Sequence, residues 1–477
     1  MTKSLVRQVS HAAPLHEQIY GRIRALIEDG QLKPGEQVPS LRAYAMELGV
    51  ARGTVEAAYE RLVGEGYLVT RSSSGTFVME RPGSPQVRAA KATPRARRTP
   101  LELATDELSI ETDGIYPVPL QMGLPALDKF PRKLWARLVA LQARNASLLT
   151  KPPPAGYGPL REALAAYLQR SRGLDVRERH IYVLPAFTAS LSLIVDALML
   201  AGKYAWVEFP GYPPTAQTLK RRGVHARNVP VDDDGINVEY GVRHFSKAHL
   251  AVVTPSHQCP TGVALSLERR LKMLEWAEKR GAWIVEDDYD GEFRYRGHSV
   301  PALRSLDNSD RVFYCGTLSK VLSPGLRLSY LVVPPSQVPV FDIACRHTAH
   351  GGSPVLLQAV AAMFIAEGHF SRHVKRMRTL YAGRRAMLAQ ALAPYRENGF
   401  AVRLQDAGMH LLVDVRDDLD DEAMARRARQ AGFGLHSLTA WRHGKPGRRG
   451  LMMGFTNLRS QAEADRLVAD LMAVLLA

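Results

Sequence analysis

Cysteine is almost missing from this 477-residue chain: Cys259, Cys315 and Cys345 are all it has, without CxxC spacing. So few, odd in number and scattered, they exclude a disulfide framework and give no zinc-binding pattern, so no metal site is expected. Aromatic residues are sparse at 7%. The most apolar stretch, Leu191 to Ala201, is far too short for a membrane span and contains Asp196. The opening residues, MTKSLVRQVSHAAP, lack the apolar core of a secretory signal. No internal repeat is present. These absences point to a soluble, cytoplasmic protein with no membrane partner.

Acidic charge is also outnumbered, with 63 Lys/Arg against 47 Asp/Glu and a net charge of +16. Part of the excess sits early, since residues 1–100 hold 15 basic against 9 acidic side chains. A basic balance suggests an anionic partner but does not choose between nucleic acid, lipid and a phosphorylated ligand. The length suggests two or three domains, and an apolar fraction of 46% supplies ample core.

Pro14 opens a helical pattern with apolar residues at Leu15, Ile19, Ile23, Leu26 and Ile27, and Gly30 closes it. Ser40 is placed to cap a second helix to Leu48, ended by Gly49. A third, from about Arg52 to Glu65, is expected to bury Val55, Ala58, Tyr59, Leu62 and Val63. Tyr67 to Thr70 and Thr76 to Met79, around a Ser72-Ser73-Ser74-Gly75 turn, read as a hairpin. Three helices and a hairpin make an α+β winged helix-turn-helix, whose second motif helix enters the major groove. The segment PLHEQIYGRIRALIEDGQLKPGEQVPSLRAYAMELGVARGTVEAAYERLVGEGYLVTRSSSGTFV resembles the GntR-type DNA-binding domain along its whole length. The resemblance implies that Arg42 holds a backbone phosphate of double-stranded DNA. It places Arg52 and Thr54 at the start of the recognition helix, facing bases or phosphates, and brings Gly75 near the minor groove. N-capping by Ser40 and Thr54 is compatible with these roles.

Residues 1–79 are therefore read as the DNA-binding domain. Residues 80–118 lose periodicity and are rich in Pro, Ala and Arg, so they read as an extended, solvated linker. A clamp on DNA phosphates by Arg95, Arg97 and Arg98 is the second reading of that stretch.

Residues 119–477 alternate helical and strand patterns, as in an α/β fold with a mostly parallel sheet. The runs Ile181 to Leu184, Tyr204 to Glu208, Ala248 to Thr254 and Trp283 to Glu286 read as buried strands. Leu160 to Tyr167 and Ala189 to Leu200 read as helices. Polar, Gly or Pro clusters follow the strands, where ligands bind in such sheets. After an apolar Val312-Phe313-Tyr314 come Cys315-Gly316-Thr317-Leu318-Ser319-Lys320 and Pro324-Gly325-Leu326-Arg327. Hydroxyls, glycine-freed N–H groups and a guanidinium suit a phosphate, and the lysine suits a Schiff base with an aldehyde cofactor. This segment resembles the cofactor-lysine region of fold-type I pyridoxal-phosphate (PLP) enzymes, the aminotransferases. The resemblance makes Lys320 the Schiff-base lysine. It puts Asp287 at the pyridinium nitrogen, Tyr289 near the phenolate oxygen and Tyr212 on the ring. Thr317, Ser319 and Arg327 then hold the phosphate, with Phe187 and Thr188 as further contacts, and a smaller subdomain spans about 355–477.

A GntR-type reader joined by a long linker to an aminotransferase-like domain resembles the MocR family of bacterial transcriptional regulators. The family implies a head-to-tail homodimer, PLP as cofactor, and an effector that changes DNA binding. Three departures matter. Leu184-Pro185-Ala186-Phe187-Thr188 stands where the family has a Ser-Gly-x-Gln phosphate turn. Cys315 and Leu328-Ser329 are milder changes around the lysine. Met452, in Leu451-Met452-Met453-Gly454-Phe455, stands where aminotransferases carry the arginine that clamps a substrate carboxylate. A thioether cannot form that ion pair; Arg442, Arg448 or Arg449 are the candidates to replace it, although Lys445 to Arg449 reads first as a solvated loop. The expected function is regulation rather than catalysis, with PLP itself or an amine as effector. An active aminotransferase carrying a DNA-binding domain is the alternative.

Overall fold

The computed structural model describes residues 14–71, 74–79, 117–150, 153–296, 301–347, 352–442 and 447–476. The chain divides into two compact units, Met1–Ser109 and Ile110–Ala477. Ser72 and Ser73 of the wing turn, and Arg95, Arg97 and Arg98 of the linker, lie outside the described residues.

In the first unit, α1 (Leu15–Glu28), α2 (Leu41–Leu48) and α3 (Arg52–Gly64) precede β1 (Leu68–Arg71) and β2 (Gly75–Val78). The Ala43 N–H donates to Ser40 Oγ at 3.2 Å at the start of α2. Gly49 ends that helix in the left-handed conformation. Val55, Ala58, Tyr59 and Leu62 of α3 pack on Ile19, Tyr20 and Ile23 of α1 and Tyr44 of α2. Two expectations fail here. Val63 is 38% exposed, because positions 55, 58, 59 and 62 already complete the apolar stripe and 63 falls one step off it. Thr54 caps nothing, because the helix starts from Ala51 and Thr54 lies inside its first turn. β1 and β2 pair antiparallel, and the Glu36–Val38 backbone bonds to β2 through Val78 N–H to Glu36 O (2.8 Å) and Val38 N–H to Thr76 O (3.0 Å).

The second unit is built on an eight-stranded sheet. Its spatial order is β3 (Ile181–Leu184), β10 (Ser329–Val332), β9 (Val312–Thr317), β8 (Trp283–Asp288), β7 (Ala248–Val253), β4 (Tyr204–Phe209), β5 (His225–Asp232) and β6 (Gly235–Ile236). The strands from β9 to β5 run parallel, whereas β10 is antiparallel to both its neighbours. One face buries Val207, Val252, Val285 and Phe313 under Leu191, Ile194 and Val195. The other buries Trp206, Ala251, Ile284 and Val312 under Met273, Trp276 and Ala277. β8 runs two residues beyond the expected Glu286, because Asp287 and Asp288 pair with Cys315 and Gly316. The helix expected from Ala189 spans Phe187–Ala197, so Phe187 and Thr188 form its first turn.

A second sheet, ordered β11 (Phe400–Arg403), β12 (His410–Val415), β14 (Arg449–Gly454) and β13 (His436–Ser437), belongs to the smaller C-terminal part. Leu411, Val413, Leu451 and Met453 face the main core; Leu412 and Met452, one residue out of phase, face the opposite way. Among the described residues, no helix is long and apolar enough to cross a membrane.

Candidate cofactor and DNA-binding sites

Three strand ends meet at one edge of the large sheet. Ser329 of β10 pairs with Leu184 of β3 on one side and Thr317 of β9 on the other. Neighbouring strands lie about 4.8 Å apart, so the turns leaving Leu184 and Thr317 emerge about 10 Å from each other. The first leads into the helix Phe187–Ala197, whose N-cap residue Ala186 offers no side-chain hydrogen bond. Its leading N–H groups therefore suit an anion. Past the second turn, the Ser319 N–H and the Ser329 hydroxyl donate to Thr317 Oγ1 at 3.1 and 3.0 Å. Register thus brings the turns that carry Phe187 and Thr188, and Thr317 and Ser319, to the same end of the sheet. Arg327 is nearby in sequence, with a left-handed backbone (φ 50°, ψ 47°) and an exposed side chain. Its guanidinium forms no hydrogen bond or ion pair among the described residues.

The amine of Lys320 donates to the Gly123 carbonyl at 3.0 Å. Gly123 has φ +72°, and a Cβ there would stand 2.5 Å from Nζ, so only glycine leaves the lysine its place. Burial lowers the pKa of Lys320, opposed by Cys259, Asp290 and Asp287. Asp287 is 7% exposed and has no hydrogen-bond or ion-pair partner among the described residues. Burial, followed by the charges of Asp288, Glu208 and Asp290, pushes its pKa well above the carboxylate range, and Lys320 works against them.

The neighbouring acids are all engaged. Asp288 Oδ2 takes Arg172 Nε at 2.7 Å and the Tyr314 hydroxyl at 2.5 Å, and Arg172 also pairs with Glu292 at 3.3 Å. Glu286 accepts the Leu303 and Arg304 N–H groups at 2.8 and 2.9 Å. Asp290 pairs with His257 at 3.0 Å. A buried acid without a partner calls for a proton donor or a cation, and a pyridinium N–H is one. The residues present fit PLP on that ground.

Asp287 lines a small cleft together with Phe209, Tyr212, Thr254 and Trp441 among others. The Tyr212 and Trp441 ring centroids are 6.3 Å apart. Tyr289 is tied down by its hydroxyl, 2.9 Å from His257 Nδ1. Burial disfavours charge on His257, but Asp290 outweighs it and the pKa is raised. His410, whose ring lies 5.5 Å from that of His257, is pushed down to about 3 by burial and then by the His257 charge.

Met452 is fully buried with Leu412, Leu438, Trp441 and Cys259. Of the arginines expected to replace the missing clamp, Arg448 pairs with Asp414, and Arg449 donates to the Leu419 carbonyl at 2.5 Å. Arg442 closes the short helix Leu438–Trp441. Sequence reasoning missed Gly123, Arg172 and Trp441. Each comes from a distant element, so no local spacing signals it; His257 and Asp290 lie in the polar clusters that follow the strands ending at Thr254 and Glu286.

In the first unit, Arg42 and Arg52 are exposed and have no ion-pair or hydrogen-bond partner among the described residues. Arg24 and Arg61 are instead held by Glu28 and Glu65 at 2.8 and 2.9 Å. Thr54 lies half-buried two residues beyond Arg52. Gly75, φ +104°, pairs with Arg71 and leaves room for Gln37, whose Nε2 donates to the Ser74 carbonyl at 2.8 Å. Arg71 lies 5.0 Å over the Phe77 ring, a wing cation that the sequence did not single out.

Family comparisons agree with both halves. The model for aminotransferase class I and II matches residues 122–438, and that for bacterial regulatory proteins of the gntR family matches 15–78. The probable rhizopine catabolism regulatory protein MocR of Rhizobium meliloti is 36% identical over 450 residues, covering 93% of this chain and 90% of that protein. The chain belongs to the MocR family of transcriptional regulators. The HTH-type pyridoxine biosynthesis transcriptional regulator PdxR of Corynebacterium glutamicum is 33% identical, covering 92% of this MocR-family chain and 91% of its own. HTH-type transcriptional regulator TauR of Rhodobacter capsulatus is also 33% identical, covering 86% and 87%. Among solved structures, kynurenine aminotransferase of Pyrococcus horikoshii, in complex with PMP, has a TM-score of 0.67 at 26% identity. It covers 80% of this chain and 95% of its own. This MocR-family regulator thus binds DNA through its winged helix-turn-helix, and PLP is the cofactor of its aminotransferase-fold domain.

Proposed function

We propose that the large domain is a sensor, which binds PLP at Lys320 and passes the state of that site to the DNA-binding domain. The observation that carries this reading is the combination of a buried Asp287, without a partner among the described residues and close enough to act on Lys320, with the fully buried Met452. The cofactor can be held, but the arginine that fixes an amino-acid substrate for turnover is replaced by an apolar side chain. Bound PLP supplies an electrophilic carbon and an electron-withdrawing ring. Lys320 anchors that carbon, Asp287 holds the ring nitrogen's proton, Tyr289 borders the ring oxygen and Tyr212 covers the ring face. Thr317, Ser319 and Arg327, with the helix start at Phe187 and Thr188, take the phosphate.

On DNA, Arg42 holds backbone phosphate, Arg52 and Thr54 address the major groove, and Gly75 brings the wing to the minor groove. The protein acts in the cytoplasm as a head-to-tail homodimer on paired half-sites, and residues 80–118 link reader to sensor. The effector is PLP itself or an amine, and residual transamination is slow. Fluorescence anisotropy on the intergenic DNA beside its own gene, with and without PLP, tests the reading. A change in affinity on loading is expected. Unchanged affinity together with sustained turnover of an amino donor and a keto acid overturns it in favour of an enzyme.

A further inference from the structure

Three elements of the large unit converge on one imidazole. His257 stands in the loop after β7. Its Nδ1 reaches two oxygens that follow β8, the Tyr289 hydroxyl at 2.9 Å and Asp290 Oδ2 at 3.0 Å. Its Nε2 lies 3.3 Å from Oε1 of Gln405, in the loop between β11 and β12. The Gln405 amide cannot turn over, because its own nitrogen donates to the Thr261 carbonyl. A Cβ at Gly408 of the same loop would collide with the His257 ring, so glycine makes this approach possible.

Carboxylate and amide oxygens only accept. Each ring nitrogen of His257 thus faces an acceptor, and a neutral imidazole, with one N–H, can serve only one of them. Its lone pair would point at the other oxygen in a buried place. Two N–H groups meet both. Of the charges around the ring, Asp290 favours the positive form, while burial and Arg294 oppose it. His410, 5.5 Å away, stays neutral and adds no second cation. The consequence falls on Tyr289. An Nδ1–H shared between Asp290 and Tyr289 makes the phenolic oxygen an acceptor there, so its own proton has to point elsewhere. Cys259 also lies in reach of that hydroxyl, but a thiol sulfur is a weak acceptor.

We infer that His257 is a positioning residue for the cofactor: as an imidazolium between Asp290 and Gln405 it donates to Tyr289, and so leaves the Tyr289 proton for the ring oxygen of PLP. The inference deepens the sensor reading and rests on it. It also gives Gln405 a part, since the seating of the β11–β12 loop reaches the cofactor ring through one side chain.

Nitrogen NMR of the histidine-labelled full-length protein, before PLP is added, tests the first half. At about pH 8.5, above the ordinary histidine range, one imidazolium should remain, and it should be lost in Asp290→Asn. A wild-type spectrum with none would overturn the inference without any variant. The second half is read on the PLP-loaded protein as the pH midpoint of its visible band. Tyr289→Phe should move that midpoint by on the order of one pH unit. Asp290→Asn should move it the same way, because a neutral His257 keeps its proton on Nε2 for Gln405 and draws the Tyr289 proton to Nδ1. In the Tyr289→Phe background Asp290→Asn should do little, whereas an effect that bypasses Tyr289 would persist there. Equal shifts in both backgrounds would overturn the inference. Asp290→Glu, which restores a carboxylate, should move the midpoint less than Asp290→Asn. Should Asp290→Asn not fold, His257→Leu in both backgrounds takes its place. An imidazolium in a protein that never develops a visible band would instead remove the sensor reading, and the cofactor role of His257 with it, while leaving the charge of His257 established.

Discussion

The two candidate sites present charge in opposite ways. On the DNA-binding unit, Arg42 and Arg52 stand exposed and without a partner among the described residues, so their fields act through water and salt. In the large unit Arg172, Asp288, Glu292 and Tyr314 are buried and bonded to one another. Charges of the first kind can be deleted without harm to the fold, because nothing is left stranded. Charges of the second kind cannot, since each removal leaves a partner desolvated and unpaired. Lys320 and Asp287 fit neither description. They lie within the second environment, yet neither is locked into an ion pair with a described residue, which is the condition of groups waiting for a ligand.

The largest expected effect is on the cofactor itself. Lys320→Ala should abolish the visible band and the borohydride-trapped PLP adduct altogether, with the fold kept, as read by absorbance and mass spectrometry. An unchanged adduct would move the assignment to another lysine. Next comes the buried ion pair. Asp288→Asn or Arg172→Met should destabilise the large unit by about 3–5 kcal/mol, read as a lower unfolding midpoint. Asp287→Asn should leave that midpoint nearly in place and weaken PLP binding instead; matching losses in both variants would erase the distinction drawn between the two aspartates.

The pH response comes third. His410 is held neutral, down to about 3 when folded against an ordinary value of 6.5. Between those values the unfolded chain binds more protons than the folded one, so stability falls as pH drops through the window. His257 has the opposite sign, because its raised pKa contributes stability below its ordinary value that is lost as pH rises through the folded one. Replacing His410 with Gln should flatten only the acid side of the profile, by an amount on the order of a few kcal/mol. An unchanged acid limb in thermal scans from pH 4 to pH 7 would count against this. The smallest of the set is on the DNA-binding unit. Arg52→Ala should weaken binding by about 1–3 kcal/mol if it reads a base edge, and leave the thermal midpoint untouched. A uniform loss across DNA sequences, with a flatter salt dependence, would make it a phosphate contact instead.

Much of this was legible in the sequence wherever function sits on contiguous residues. The reader domain's caps, turns and stripe follow local rules, and only Val63 and the capping role of Thr54 went astray. The motif around Lys320 was equally local. What stayed hidden depends on register and on long-range packing. β10 is a four-residue antiparallel strand wedged into a parallel sheet, and its pairing alone brings Leu184 and Thr317 together. The choice of Asp287 over Asp288 was made by resemblance, and that Asp288 is tied to Arg172, more than a hundred residues earlier in the chain, was not legible locally.

The chain enters the large unit along a strap whose carbonyls are taken one after another. Pro119 and Leu120 accept from the Gly434 and Gly454 amides at 2.8 and 2.7 Å, and Pro125 accepts from Asn457 at 3.1 Å. Those donors are amides, and chemistry at the site leaves them alone. Gly123, between them, accepts from Lys320. Were Lys320 to hold PLP as proposed, its nitrogen would have fewer protons to share with the Gly123 carbonyl. The strap is thus held by rivets on either side of a clasp. The clasp is the residue proposed to hold the cofactor, and the backbone it fastens belongs to the first described stretch of the large unit.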